Sequence, residues 1–166
     1  MKSDFLVREG RARDAGSCVF LALMSSPGSD ASIWRLTFLE DIERPDRLLV
    51  VAECAGEVIG YGRVVRFEPE ADAPTDIAPP GYYLMGLVVH PDHRRRGVAA
   101  ALTQARLDWM SKQADEAWYF ANARNAASIS LHASFAFEEV TRSFSFPRVD
   151  FDRGEGILFQ RRFRST

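Results

Sequence analysis

Apolar positions along the chain follow two rhythms. Short apolar runs bounded by turn residues read as strands at residues 5–7, 48–54, 58–67, 82–89, 117–121, 137–146 and 156–163. Segments with apolar residues three and four apart read as helices at 11–24, 33–44, 98 to about 110, and 126–136. In the first helix Val19, Phe20 and Leu23 share a face; in the third, Val98, Leu102, Ala105 and Trp109 do. Asp30 or Ser32 caps the second helix and Asn125 the fourth, while Pro45 stops the second. Pro27 and Gly28 break the chain between the first two helices, and Gly56 turns a hairpin between the second and third strands. Gly60 and Gly62 inside a strand imply a bulge or the close approach of another group. Strands and helices interleave, with one β-α-β crossover in the middle. The expectation is a single α/β domain over residues 1–166, a mixed twisted sheet of about six or seven strands with flanking helices.

Composition changes this picture little. A hydrophobic fraction of 46% and a formal net charge of −2 fit one globular domain with a real core and give no reason to expect nucleic acid as a partner. Two cysteines, Cys18 and Cys54, make neither a disulfide framework nor a zinc site, and are expected as free, buried thiols. Residues 1–10 are mixed in charge and no long apolar segment follows. A cytoplasmic protein without membrane contact is therefore expected.

The informative segment is Val88-Val89-His90-Pro91-Asp92-His93-Arg94-Arg95-Arg96-Gly97-Val98-Ala99-Ala100-Ala101-Leu102. An apolar strand feeds a polar turn, and Gly97 opens an alanine-rich helix. The first amides of a helix lack partners inside it and carry partial positive charge, so such a turn binds anions. Gly97 allows close approach to the backbone, and Arg94, Arg95 and Arg96 supply charge for a phosphate. The dinucleotide and P-loop fingerprints are both missing.

Arg94-x-x-Gly97-x-Ala99 resembles the [QR]-x-x-G-x-[GA] loop of the GNAT-type N-acetyltransferases, which holds the pyrophosphate of acetyl-CoA. A second block, from Trp118 to Phe137, is similar to the family's N-x-x-[AS]-x-x-[LF]-Y-x-x-x-G-F. Asn125, Ser128, Leu131 and Phe137 fall on it, whereas His132 replaces the usual tyrosine and Ala136 the usual glycine. The resemblance implies acetyl-CoA as co-substrate, held by Arg94, Arg95, Arg96, Gly97, Val98, Ala99 and Ala100 at the diphosphate. It places Leu87, Val88 and Val89 along the pantetheine arm, in a gap where two strands splay, with Asn125 and Ser128 facing the arm. It also implies direct transfer to an amine acceptor without an acyl-enzyme, and leaves a homodimer open.

Acetyl transfer needs a neutral amine, a donor for the oxyanion and a proton for the departing sulfur. By position in the family block, His132 is the expected proton donor. The base is less defined: the resemblance implies a glutamate on or beside the central strand, but the strand at 82–89 has no carboxylate. Glu53 and Glu68 are candidates, Tyr83 could relay a proton, and the amine could also arrive deprotonated with water taking the proton later. Glu68, Glu70, Asp72 and Asp76 make the loop before that strand an acidic rim that would draw a cationic amine, or a solvated loop. Trp34 and Phe38 could wall an apolar pocket or belong to the core. The expected function is an N-acetyltransferase acting on a primary amine of a small molecule or peptide. Its rival is a non-catalytic acyl-CoA-binding or sensing module.

Overall fold

The computed structural model describes residues 4–151 and 154–163. Its elements run β1 (Leu6–Glu9), α1 (Ala15–Ser25), α2 (Ala31–Glu43), β2 (Arg47–Cys54), β3 (Glu57–Phe67), β4 (Gly81–Val89), α3 (Val98–Ser111), β5 (Glu116–Asn122), α4 (Ala126–Ala133), β6 (Glu138–Thr141) and β7 (Gly156–Arg162). Strand pairing follows the order β1-β2-β3-β4-β5-β7-β6, the mixed seven-stranded α/β arrangement expected from the sequence. β1 with β2, β2 with β3, β5 with β7 and β6 with β7 pair antiparallel, whereas β4 and β5 run parallel with Tyr83 opposite Trp118.

The chain divides into two compact units, residues 1–65 with 84–109, and residues 66–83 with 110–166. In the first unit the core joins Cys18, Leu21 and Ala22 of α1, Phe38 of α2, Leu49 and Val51 of β2, and Tyr61 of β3. Trp34 stacks on Phe38 with ring centroids 5.6 Å apart, so this pair belongs to the core. The Asp30 carboxylate caps α2 by accepting the amides of Ser32 and Ile33. In the second unit Phe67, Tyr83, Phe120 and Phe146 pack ring against ring.

Several elements differ from the sequence reading. α1 starts later than residue 11, after a 3-10 turn at Ala12–Asp14. Its buried face is Ala15, Cys18, Leu21 and Ala22, whereas Phe20 is 60% exposed. The buried stripe of α3 is Val98, Leu102, Thr103, Arg106, Leu107 and Met110, rotated by about one position from the face expected, with Ala105 and Trp109 only half-buried. α4 stops at Ala133, not residue 136, because Phe135 and Phe137 both donate amides to the His132 carbonyl and close the helix. The strand expected over 137–146 ends at Thr141. Beyond it the rings of Phe144 and Phe146 both pack on Phe120. The acidic loop is tied down by Asp76, whose carboxylate accepts the Ser145 hydroxyl at 2.9 Å, next to a bridge between Ile77 and Ser145.

Candidate functional site

In the first unit β4 leaves the extended region at Gly86, where φ is +42, and its last residues keep their place beside β3. The Val88 carbonyl oxygen lies 3.0 Å from where residue 60 would carry a Cβ, and His90 donates its amide to Ile59 O at 2.8 Å. Gly60 is therefore a close-approach glycine. After β4, His90 Nδ1 accepts the Asp92 amide, and a 3-10 turn at Pro91–His93 reverses the chain. Arg94 donates Nε back to the Val89 carbonyl at 3.3 Å, which anchors the turn to the strand end. Arg95 (φ +63) and Gly97 (φ +82) are left-handed, and the chain enters α3 at Val98.

The first bond into α3 is donated by Ala101 to Gly97 O at 3.0 Å, so the amides of Val98, Ala99 and Ala100 precede the helical ladder. Arg94, Arg95, Arg96 and Gly97 are exposed, and nothing lies within 4 Å of where a Cβ on Gly97 would sit. Open space and unladdered amides lie at a turn that carries three arginines, of which Arg94 is turned to the Val89 carbonyl and Arg96 pairs with Asp4 at 3.7 Å. That is the donor set a diphosphate requires. Leu87 and Val88 are half-buried and Val89 is buried.

A cleft of about 790 Å³ adjoins this turn, lined by Phe20 of α1, Glu53 and Glu57 of the hairpin, and His90, Asp92 and His93. Glu53 was legible as a candidate; the two histidines were not, because only the tertiary fold brings them opposite α1. Arg8 donates Nε to Glu53 Oε2 at 2.8 Å and both terminal nitrogens to Asp14. The guanidinium beside Asp14 holds that carboxyl below its usual range. Cys18 is fully buried, and desolvation pushes its thiol up to about 12, which leaves it a neutral packing group. Cys54 is half-buried.

The other sequence candidates lie in the second unit. Asn125 caps α4, its side-chain oxygen accepting the Ser128 amide at 3.2 Å. The Ser128 hydroxyl is hydrogen-bonded to the Tyr119 hydroxyl. His132 is 3% exposed and stacks flat on Tyr119, with centroids 3.6 Å apart and planes 4° from parallel. His132 Nδ1 lies 2.7 Å from the Ser128 carbonyl oxygen. A carbonyl only accepts, so Nδ1 carries the proton and the neutral ring has its lone pair on Nε2. Glu68 is an exposed carboxylate paired with Arg66 at 3.3 Å.

Comparison with known proteins decides the family. The model of the acetyltransferase (GNAT) family matches residues 17–137. The chain belongs to that family. As a GNAT protein it is 44% identical over 50 residues to an HLS1-like N-acetyltransferase of Arabidopsis thaliana, covering 30% of this chain and 12% of that one. It is 35% identical over 69 residues to the ribosomal protein bS18-alanine N-acetyltransferase of Escherichia coli K12, covering 40% of this chain and 47% of the relative. The match thus spans less than half the length of either curated relative. The fold superposes on yncA of Salmonella typhimurium, solved with its cofactor acetyl-CoA, at a TM-score of 0.72 and 19% identity, covering 98% of this chain and 96% of that one. Among the described residues no helix is long and apolar enough to cross a membrane.

Proposed function

We propose that this GNAT protein is an acetyl-CoA-dependent N-acetyltransferase that moves the acetyl group directly to a primary amine of a small molecule or peptide. The observation that carries the reading is the exposed turn at Arg94–Gly97, with the unladdered amides of Val98, Ala99 and Ala100 behind it and an unfilled space over Gly97. Bound acetyl-CoA supplies an activated acetyl thioester. The amides of Val98, Ala99 and Ala100 hold its diphosphate, and Arg95 and Arg96 neutralise its charge. Arg94, pinned to the Val89 carbonyl, keeps the turn in place. Leu87, Val88 and Val89 line the pantetheine arm.

The acceptor side is assigned to the cleft beside the turn, where the carboxylates of Asp14, Glu53, Glu57 and Asp92 outnumber the guanidinium groups of Arg8 and Arg13 and favour a cationic amine. Glu53 is the proposed proton acceptor there. Glu68 does not line that cleft and is assigned no part in the chemistry. His132 is proposed as a positioning residue: its ring backs Tyr119 while its Nδ1–H holds the Ser128 carbonyl, so the Tyr119–Ser128 pair stays fixed.

The deciding experiment follows free thiol release from acetyl-CoA across a panel of amines and peptide N-termini, beside calorimetry with acetyl-CoA alone. Thiol release that depends on the amine, and falls strongly in Glu53→Gln, supports the reading. Tight acetyl-CoA binding without release from any amine would instead indicate a sensing module. No binding would end both.

A further inference from the structure

Arg106 is 1% exposed, on the face of α3 that meets the sheet. A long cation at such a position is costly unless its donors are satisfied. Gly62 makes the room: a Cβ there would stand 2.8 Å from Arg106 Nε and 3.0 Å from Cδ and Cζ. In that space Nη1 donates to the Arg63 carbonyl of β3 at 3.2 Å and to the Met85 carbonyl of β4 at 3.4 Å. Met85 immediately precedes the bend at Gly86, where the backbone turns out of the extended region. Nη2 donates to the Thr103 hydroxyl at 3.1 Å, and Thr103, also fully buried, donates to the Ala99 carbonyl at 2.8 Å. One continuous polar chain therefore runs from the first turn of α3 through Thr103 and Arg106 to the bend of β4. On Gly86, 3.3 Å from its Cβ position, lies the Arg63 side chain, whose Nε is bonded to the buried Asp41 of α2 at 2.5 Å.

We propose that Arg106 is a positioning residue for the cofactor: it sets the register between the first turn of α3 and the bend of β4, the two places assigned above to acetyl-CoA. The proposal rests on that assignment. Its physical content is that a helix sliding on apolar contacts alone has no preferred register at this precision, whereas directional donors to two strand carbonyls and one hydroxyl do. Ala99 and Met85 then cannot shift independently, and the amides that meet the diphosphate stay aligned with the strand that meets the arm.

The test is acetyl-CoA affinity by calorimetry on the full chain, with thermal unfolding in parallel. Thr103→Val removes the link to Ala99 at nearly constant volume, and Arg106→Met removes the cation. Arg106→Lys keeps a donor without the fork. Leu107→Ala, a buried α3 change outside the network, controls for general loosening. Expected are a loss of about fivefold for Thr103→Val and tenfold or more for Arg106→Met, partial recovery in Arg106→Lys, and less than twofold for Leu107→Ala at an equal or larger drop in melting temperature. If Arg106→Met does not fold, the contrast between Thr103→Val and Leu107→Ala decides. Folded Thr103 and Arg106 variants that bind within twofold of the parent would overturn the proposal, as would an equal loss in Leu107→Ala. Failure of the parent to bind acetyl-CoA at all is a different result: it refutes the cofactor assignment and removes what Arg106 is proposed to position.

Discussion

Gly62 and Arg106 are complementary: the missing Cβ of the strand residue is the space that the helix guanidinium fills, with Nε 2.8 Å from the Cβ position. Both residues sit in the first unit, and neither is explained without the other. Gly62→Ala forces the guanidinium away from the Arg63 and Met85 carbonyls. The expected cost is about 1–3 kcal/mol of stability, the range for overpacking a closed site. Denaturant unfolding checks it, and a change under about 0.5 kcal/mol would show the site to be more yielding than described.

At Gly97 space is open, so the obstacle to a side chain is conformational. The backbone has φ +82, a region that costs an L residue about 1–2 kcal/mol. Gly97→Ala is expected to keep the fold and weaken acetyl-CoA binding about five- to tenfold, as strain in the turn misaligns the amides behind it. Gly97→Val should do worse. Equal affinity in calorimetry for all three proteins would remove the turn from the cofactor site.

His132→Phe separates two roles for one ring. A proton donor lost from the reaction lowers turnover about a hundredfold or more. A ring that backs Tyr119 is largely replaced by phenylalanine, at a cost of about 1 kcal/mol for the lost bond to the Ser128 carbonyl. The positioning role predicts turnover within a few-fold of the parent for His132→Phe and a large loss for His132→Ala. A collapse of turnover in His132→Phe with affinity intact would restore the donor role.

Ala136 occupies the place where the family block carries glycine, and its backbone is left-handed, with φ +66. It is exposed, so only this strain separates alanine from glycine there. Ala136→Gly is expected to raise stability by about 0.5–1 kcal/mol, the strain relieved less the extra freedom of glycine in the unfolded chain. A lower melting temperature would contradict it.

Asp14 contributes to the acid dependence. Its folded pKa is depressed, first by the hydrogen bonds from Arg8, so it binds a proton less readily folded than unfolded. Its contribution is therefore complete above the ordinary carboxylate pKa of about 4 and is lost as pH falls through the depressed folded value. Stability measured from pH 6 down to pH 2 should fall more steeply below about pH 4 in the parent than in Asp14→Asn. Parallel curves would show that the Arg8 pair contributes nothing.

Much of this protein is written in local sequence. The order of strands and helices, the Asp30 and Asn125 caps and the strand-turn-helix at 88–102 depend on neighbouring residues only, through periodicity, hydrogen-bonding side chains and glycine. The family blocks lie within single stretches of chain, so they too were readable. What sequence alone misassigned was set by partners far along the chain. Helical spacing put Ala105 and Trp109 toward the sheet; a vacancy at Gly62, forty-four positions before Arg106, turned the helix to bury an arginine instead. The tautomer of His132 depends on which carbonyl its ring meets, and the cleft at Glu53 needs α1 to cross the hairpin. Local rules choose an element because its bonds close within a few residues; the face it buries, and the proton a ring carries, are settled by packing among elements that sequence spacing does not relate.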